Sequence, residues 1–262
     1  MFEKIPEIMR EAGKIMLAAR GVENEMRAKG EANFVTSYDV EVEKYLFHAL
    51  GELLPSAVLL GEEEEENHTE LIRTRRCLIV DPIDGTTNFI HGFGMSAVSV
   101  GVSDCGVMTY GAVYDPYTGV LCHAERGHGT FLQDADGGET PVHVSDRGLA
   151  DALAGFGTCP YYKDELGEKS FRAVYRLYRR ARDVRRGGSA ALDLLMTARG
   201  ILDVFFEYRL SPWDYAAGSL LVTEAGGVIT QTDGSPITLD KPCSIFAGNP
   251  RAYRELFEAG IL

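Results

Sequence analysis

Asp81 and Asp84 stand three positions apart in Leu78-Ile79-Val80-Asp81-Pro82-Ile83-Asp84-Gly85-Thr86-Thr87-Asn88-Phe89. Carboxylates this close repel each other unless a cation sits between them. Mg²⁺ is the natural candidate, since it takes one or two carboxylates and keeps its other positions for water and phosphate oxygens. Pro82 restricts the backbone between the acids, and Gly85 lets the main chain approach a ligand. Thr86 and Thr87 add hydroxyls, and if Thr86 opens a helix its free N–H groups can hold a phosphate. An ordinary Asp-Gly turn closing a strand is the plain alternative, and this stretch alone leaves it open. Two other stretches supply acids. Val58-Leu59-Leu60-Gly61-Glu62-Glu63 ends an apolar run in carboxylates, and Ser211-Pro212-Trp213-Asp214-Tyr215-Ala216-Ala217-Gly218 sets Asp214 at the start of a small-residue helix.

Taken in order, an acid at Asp39, the pair Glu62-Glu63, D-P-I-D-G-T at 81–86 and W-D-Y-A-A-G at 213–218 resemble the signature of the inositol monophosphatase family. That family lies within the Mg²⁺-dependent, lithium-sensitive phosphatases that include fructose-1,6-bisphosphatase. The resemblance runs from about Lys29 to Asn249. It implies that Glu62, Asp81, Asp84, Asp214 and the backbone carbonyl of Ile83 surround two or three Mg²⁺ ions. It assigns the attacking water to Glu62 and Thr86, with Asp39 holding the threonine hydroxyl, and makes Glu63 the weaker ligand candidate. The N–H groups of Gly85 and Thr86 would bind the phosphate's non-bridging oxygens, and a water near Asp84 and Asp214 would protonate the leaving alkoxide. Arg185 and the Gly188-Ser189-Ala190-Ala191 segment would line the substrate pocket, and Glu207 would accept hydrogen bonds from substrate hydroxyls.

The implied substrate is a small polyol or sugar phosphomonoester, inositol 1-phosphate first. Fructose 1,6-bisphosphate, histidinol phosphate and 3′-phosphoadenosine 5′-phosphate are the alternatives. Relatives are commonly homodimers, and a homodimer is expected here. Two departures stand out: Ser211 where some members carry His, and Asn33 where many carry Asp in a loop tied to a third metal. Haloacid-dehalogenase phosphatases also place D-x-D-G-T after an apolar strand, with the first Asp as nucleophile. Here the acids are three apart, a proline follows the first, and W-D-Y-A-A-G has no counterpart in that family. A non-catalytic module that binds a sugar phosphate or a protein is the reading from another class. Since every metal-ligand position is filled, hydrolysis is favoured.

The elements that must position these residues are ordinary in composition. The 262 residues are 45% hydrophobic and 25% charged, which allows one large domain with two closely packed halves, roughly 1–150 and 151–262. With 26 basic against 39 acidic residues and a net charge of −13, general nucleic-acid binding is not expected, and a bound divalent metal would reverse the local field for a phosphate anion. Five widely spaced cysteines without C-x-x-C suggest reduced thiols and the cytoplasm. No apolar run reaches the ~18 residues of a membrane span, so no membrane partner is expected.

Along the chain, an amphipathic helix is expected within 2–28, with Ile5, Ile8, Met9, Ala12, Ile15, Met16 and Ala19 inward. Lys29–Asn33 reads as a loop. Thr36-x-x-Asp39 resembles a capping box before a second helix with Val42, Tyr45, Leu46, Ala49 and Leu50 inward. The strand from Leu78 should end at the first aspartate and open into the loop that carries the chemistry. Ser96–Val102, Val107–Tyr114 and Val120–Ala124 read as an antiparallel meander, with glycines at 127, 129, 137 and 138 marking its exit. A helix is expected over Ser170–Arg182 with Phe171, Val174, Tyr175 and Tyr178 on one side. Asp203–Glu207 reads as a strand ending in an acid, followed by a helix over Asp214–Ala225, a strand over Ser244–Ala247 and a last helix from Pro250. The arginines at 179, 180, 182, 185 and 186 form a basic cluster, most of them a solvated helix end. Helix pairs alternating with two sheets give an α+β fold, the layered α-β-α-β-α sandwich that the resemblance implies.

Overall fold

The structure, a computed structural model, describes residues 2–18, 27–28, 34–35, 37–63 and 69–261. The first layer is a helix pair, α1 (Ile5–Ala18) and α2 (Ser37–Leu53). Between them lies a two-residue antiparallel pairing of β1 (Arg27–Ala28) with β2 (Phe34–Val35). Ala19, the Lys29–Asn33 loop, Asn33, Thr36 and Glu64–Glu66 lie outside the described residues.

The second layer is a seven-stranded sheet in the order β3 (Val58–Gly61), β4 (Arg76–Asp84), β5 (Ala97–Asp104), β6 (Val107–Asp115), β7 (Val120–Glu125), β8 (Gly129–Gln133) and β9 (Glu139–Val142). Only β3 and β4 pair in parallel, and the rest is an antiparallel meander. Strands β8 and β9 extend the meander past its expected exit, where the glycines mark hairpin turns between further strands. Period-two alternation sorts the side chains. Leu78 and Val80 of β4, with Val98, Val100 and Val102 of β5, face Ile5, Met9, Met16, Leu46 and Leu50 of the helix pair. Cys77 and Ile79 face the other way, and so does Asp81 by the same parity.

The middle layer is α5 (Ala190–Ala198) with α6 (Pro212–Glu224). The small residues of α6 have a clear purpose. A Cβ at Gly111 of β6 would stand 2.6 Å from the Ala217 carbonyl oxygen, and one at Gly101 of β5 would stand 3.4 Å from the Ala216 Cβ. Any larger residue at these positions would lift the helix, and Asp214 with it, off the sheet.

The fourth layer is a five-stranded sheet ordered β11 (Asp183–Arg185), β10 (Leu153–Phe156), β12 (Val204–Leu210), β14 (Cys243–Gly248), β13 (Val228–Thr230). It turns Phe205, Ile245 and Ala247 toward the middle layer. Its other face buries Phe156, Val204, Phe206 and Phe246 under the fifth layer, α4 (Lys163–Tyr178) and α7 (Pro250–Glu258). The α-β-α-β-α order is therefore as expected from the sequence.

Helix α4 differs from its expected form. It begins seven residues earlier and ends at Tyr178, and it buries Ser170, Ala173 and Leu177. Phe171, Tyr175 and Tyr178 are more than half exposed. Large aromatics attract an inward assignment, but the spacing of the small residues decides which face lies flat on the sheet. The remaining short helix, α3 (Thr86–Ile90), follows β4 directly.

Candidate active site

Strand β4 does not open into a loop at Asp81. It runs on through Asp84, and its pairing with β5 shifts between Asp81 and Asp84, so the proline and its neighbours form a bulge inside the strand. The bulge has a consequence: it breaks the strict alternation that would otherwise put residues 81 and 84 on opposite faces. Gly85 then turns the chain at φ 89°, a left-handed conformation that glycine adopts without strain, and Thr86 opens α3.

Ligand oxygens of Asp81, Asp84 and Asp214 all lie within 4.8 Å of one another. Asp214 arrives from the first turn of α6, where its carboxylate accepts the Ser211 N–H at 2.6 Å. Asp81 accepts the N–H of Ile83 at 3.1 Å. Asp84 accepts from the Ser189 hydroxyl at 2.5 Å and from the Ala191 N–H at 2.7 Å. Burial, then the charges of Glu62, Asp84, Asp214 and Asp39, push Asp81 well above the usual carboxylate range. Burial, then Asp84 and Glu62, do the same to Asp214. Asp84 is pushed up to about 6 by burial, held back by Ser189 and the N–H groups of Ala191, Ala190 and Gly85. Buried carboxylates that repel each other in this way need a counter-charge, and their all-oxygen donor set suits a hard divalent cation. The residues present fit such an ion.

Glu62 lines the same cavity, of about 310 Å³, but falls outside the three-carboxylate cluster. Glu63 turns its N–H to Glu43 at 3.0 Å and does not line the cavity. The Thr86 hydroxyl lies 3.3 Å from Asp39 and 3.2 Å from the carbonyl of Ile83, either of which can accept its single proton. Asp39 is buried in the first turn of α2. Gly188, Ser189 and Ala190 line the cavity, and Ser189 also caps α5 by accepting the Leu192 N–H at 3.2 Å. Gly85 lines it too, next to Thr86.

Glu207 is not at a strand end. It sits inside β12, where the pairing with β14 becomes irregular, on the same face as Phe205 and toward the middle layer. It accepts the Cys159 N–H at 2.9 Å, and burial pushes it up to about 7. Arg185 is displaced from its expected place. Its guanidinium is ion-paired with Asp183 at 2.5 Å and donates to the Val184 carbonyl, away from the cavity. Arg186 lines the cavity instead, donating to the Thr158 hydroxyl at 3.4 Å. Strand alternation explains the swap, since adjacent residues at the end of β11 point to opposite sides.

Four contributors were not singled out from the sequence. Asn88 ties α3 to the glycine loop by donating to Met95 and Gly187 carbonyls at 2.7 and 3.0 Å. Cys159, in a left-handed conformation at φ 47°, presents its N–H to Glu207. Tyr161 lines the cavity and is raised by burial and by the charges of Glu62, Asp214, Asp81 and Asp84. Asp193 lines it from α5. Only Asn88 had a local signal, its place in the D-P-I-D-G-T-T-N-F run.

Known proteins resemble this chain over most of its length. Inositol-1-monophosphatase of Bacillus subtilis is 32% identical over 251 residues, covering 95% of this chain and 92% of its own. The Nus factor SuhB of Salmonella typhimurium is 34% identical over 234 residues, covering 88% and 84%. The crystal structure of the extragenic suppressor protein suhB from Bartonella henselae superposes with a TM-score of 0.88 at 33% identity, covering 97% of this chain and 96% of that one. The inositol monophosphatase family model matches residues 3–260, and the chain belongs to that family.

Proposed function

We propose that the chain is a Mg²⁺-dependent phosphomonoester hydrolase acting on a small polyol or sugar phosphate, inositol 1-phosphate foremost, by direct in-line attack of water. The observation that carries this reading is the meeting of the buried Asp81 and Asp84 with the half-buried Asp214, in a cavity that Glu207 also lines. Those three aspartates, with Glu62 and the Ile83 carbonyl, would hold the ions. When bound, Mg²⁺ supplies positive charge at the phosphoryl oxygens and makes a nearby water more acidic.

The chain's own residues orient the rest. With its proton donated to Asp39, the Thr86 hydroxyl turns its lone pairs outward and can accept from the attacking water, and Glu62 takes that water's proton. Ser189 and the Ala191 N–H fix the Asp84 carboxylate. Gly188, Ser189 and Ala190 shape the wall, and Glu207 accepts a leaving-group hydroxyl, which a buried acceptor left unpaired would penalise in substrates lacking one. Arg186 replaces Arg185 as the cation facing substrate. A fructose 1,6-bisphosphate, histidinol phosphate or 3′-phosphoadenosine 5′-phosphate substrate is the alternative on the same machinery. The cytoplasmic location and the homodimer belong to the same proposal, and light scattering tests the second.

The experiment is phosphate release from these four substrates with Mg²⁺, then with Mg²⁺ plus lithium. One preferred substrate with lithium inhibition supports the reading. No release from any of them, by folded protein that still binds Mg²⁺, favours a binding role such as the name of the Salmonella relative describes.

A further inference from the structure

Asp193 takes no part in the chemistry above, yet it lines the same cavity. It is 2% exposed, and its Oδ1 has no hydrogen-bond partner among the described residues. A buried carboxyl oxygen without a partner is costly, so a fold that keeps one points to a group that satisfies it. Glycines make the room: a Cβ at Gly187 would collide with the Asp193 carboxyl, and a Cβ at Gly157 would collide with that of Glu207. Gly157 directly follows β10, and Gly187 comes two residues after β11. With β12, which carries Glu207, these are three adjacent strands, so one end of the small sheet is cleared for two acids.

The two carboxyls are close enough for Glu207 to raise Asp193, after burial, and Arg186 acts on both in the opposite sense. A guanidinium beside the pair disfavours a second metal there. A neutral ligand that hydrogen-bonds is the better fit, because an acid kept protonated by burial both donates and accepts, as a hydroxyl does.

We infer that Asp193 and Glu207 form a paired hydroxyl-recognition subsite, each carboxyl engaging one of two neighbouring hydroxyls on the leaving group. The cavity thereby selects the phosphate ester of a ring bearing a vicinal diol, and Asp193 is a specificity residue. The inference rests on the hydrolase reading and adds a selection rule to it.

The test compares inositol 1-phosphate with cyclohexyl phosphate, the same ring without hydroxyls, in wild type, Asp193→Ala and Asp193→Asn. Asp193→Ala should lower kcat/KM on inositol 1-phosphate by roughly ten- to hundredfold, the effect of removing a hydrogen bond to a buried hydroxyl, and change cyclohexyl phosphate less than about threefold. Asp193→Asn, which keeps the shape and both hydrogen-bonding roles, should lose less. Combined with Glu207→Gln, the loss should fall short of the product of the single losses, since both residues hold one ligand. Equal change on both substrates, or none on either, overturns the subsite. Should wild type hydrolyse neither compound, the hydrolase reading fails on its own. Calorimetric binding of inositol 1-phosphate then decides the subsite: weaker binding by Asp193→Ala upholds it and equal affinity overturns it.

Discussion

Removing the charge of Glu207 should stabilise the metal-free protein, and more so as pH rises. Burial pushes this carboxyl from 4.5 up to about 7. A raised acid keeps its proton in the folded state while the unfolded chain releases it. Its contribution to stability is therefore fully present below pH 4.5 and is lost as pH climbs through 7. The full shift of about 2.5 units corresponds to about 3 kcal/mol at 1.36 kcal/mol per unit, and most of it develops between pH 5 and 8. Glu207→Gln stays neutral throughout and can still accept the Cys159 N–H through its amide oxygen. Equilibrium urea unfolding of both proteins in chelator, at pH 5, 6, 7 and 8, reads the effect of the Glu207 charge, which includes its push on the neighbouring Asp193 and Asp214 carboxyls, because titrating groups remote from Glu207 are shared and cancel in the difference. The stability of Glu207→Gln relative to wild type should rise by about 2 to 3 kcal/mol over that range. A difference that stays flat from pH 5 to 8 would refute the reasoning, since Glu207 would then ionise as easily folded as unfolded.

Other expectations follow from single contacts. Ser189→Ala removes the hydroxyl that holds Asp84, and should weaken Mg²⁺ affinity by roughly tenfold or more, as loss of a ligand's supporting hydrogen bond does, measured by calorimetry. Asp39→Asn should lower kcat on inositol 1-phosphate far more than it changes KM, because Asp39 reaches the reaction only through the Thr86 hydroxyl. Arg186→Ala should raise KM several-fold while Arg185→Ala leaves it within about twofold, given that Arg185 is engaged by Asp183 on the surface. The opposite ranking in steady-state kinetics would return the substrate contact to Arg185.

Much of this arrangement was legible in the sequence for a physical reason. Metal ligation and tight turns restrict residue types, so D-P-I-D-G-T and W-D-Y-A-A-G announce their chemistry locally, and the apolar alternation of β5 to β7 announces the sheet. What the chain order hid depends on geometry between distant segments. The bulge that keeps β4 running through Asp84 shows only in its pairing with β5. Arg185 and Arg186 are indistinguishable by type, and only the direction of β11 decides which meets the cavity. The sequence groups the aromatic side chains of α4 on one side without showing which side meets the sheet, and the buried residues prove to be Ser170, Ala173 and Leu177. Asp193 sits in an apolar helix two residues past the Gly188-Ser189-Ala190-Ala191 segment but outside it, and its significance rests on the loop folded above it.

The most direct test of the central claim is Mg²⁺-dependent phosphate release by Asp84→Asn. Asp84 belongs to the three-carboxylate cluster and is buried, with Ser189 and Ala191 able to hold an amide oxygen as they hold the carboxylate. The fold should survive, shown by an unchanged circular dichroism spectrum, while release from inositol 1-phosphate becomes undetectable at Mg²⁺ concentrations that saturate wild type. Near-normal release by the folded variant would contradict the assignment of this cluster as the metal centre.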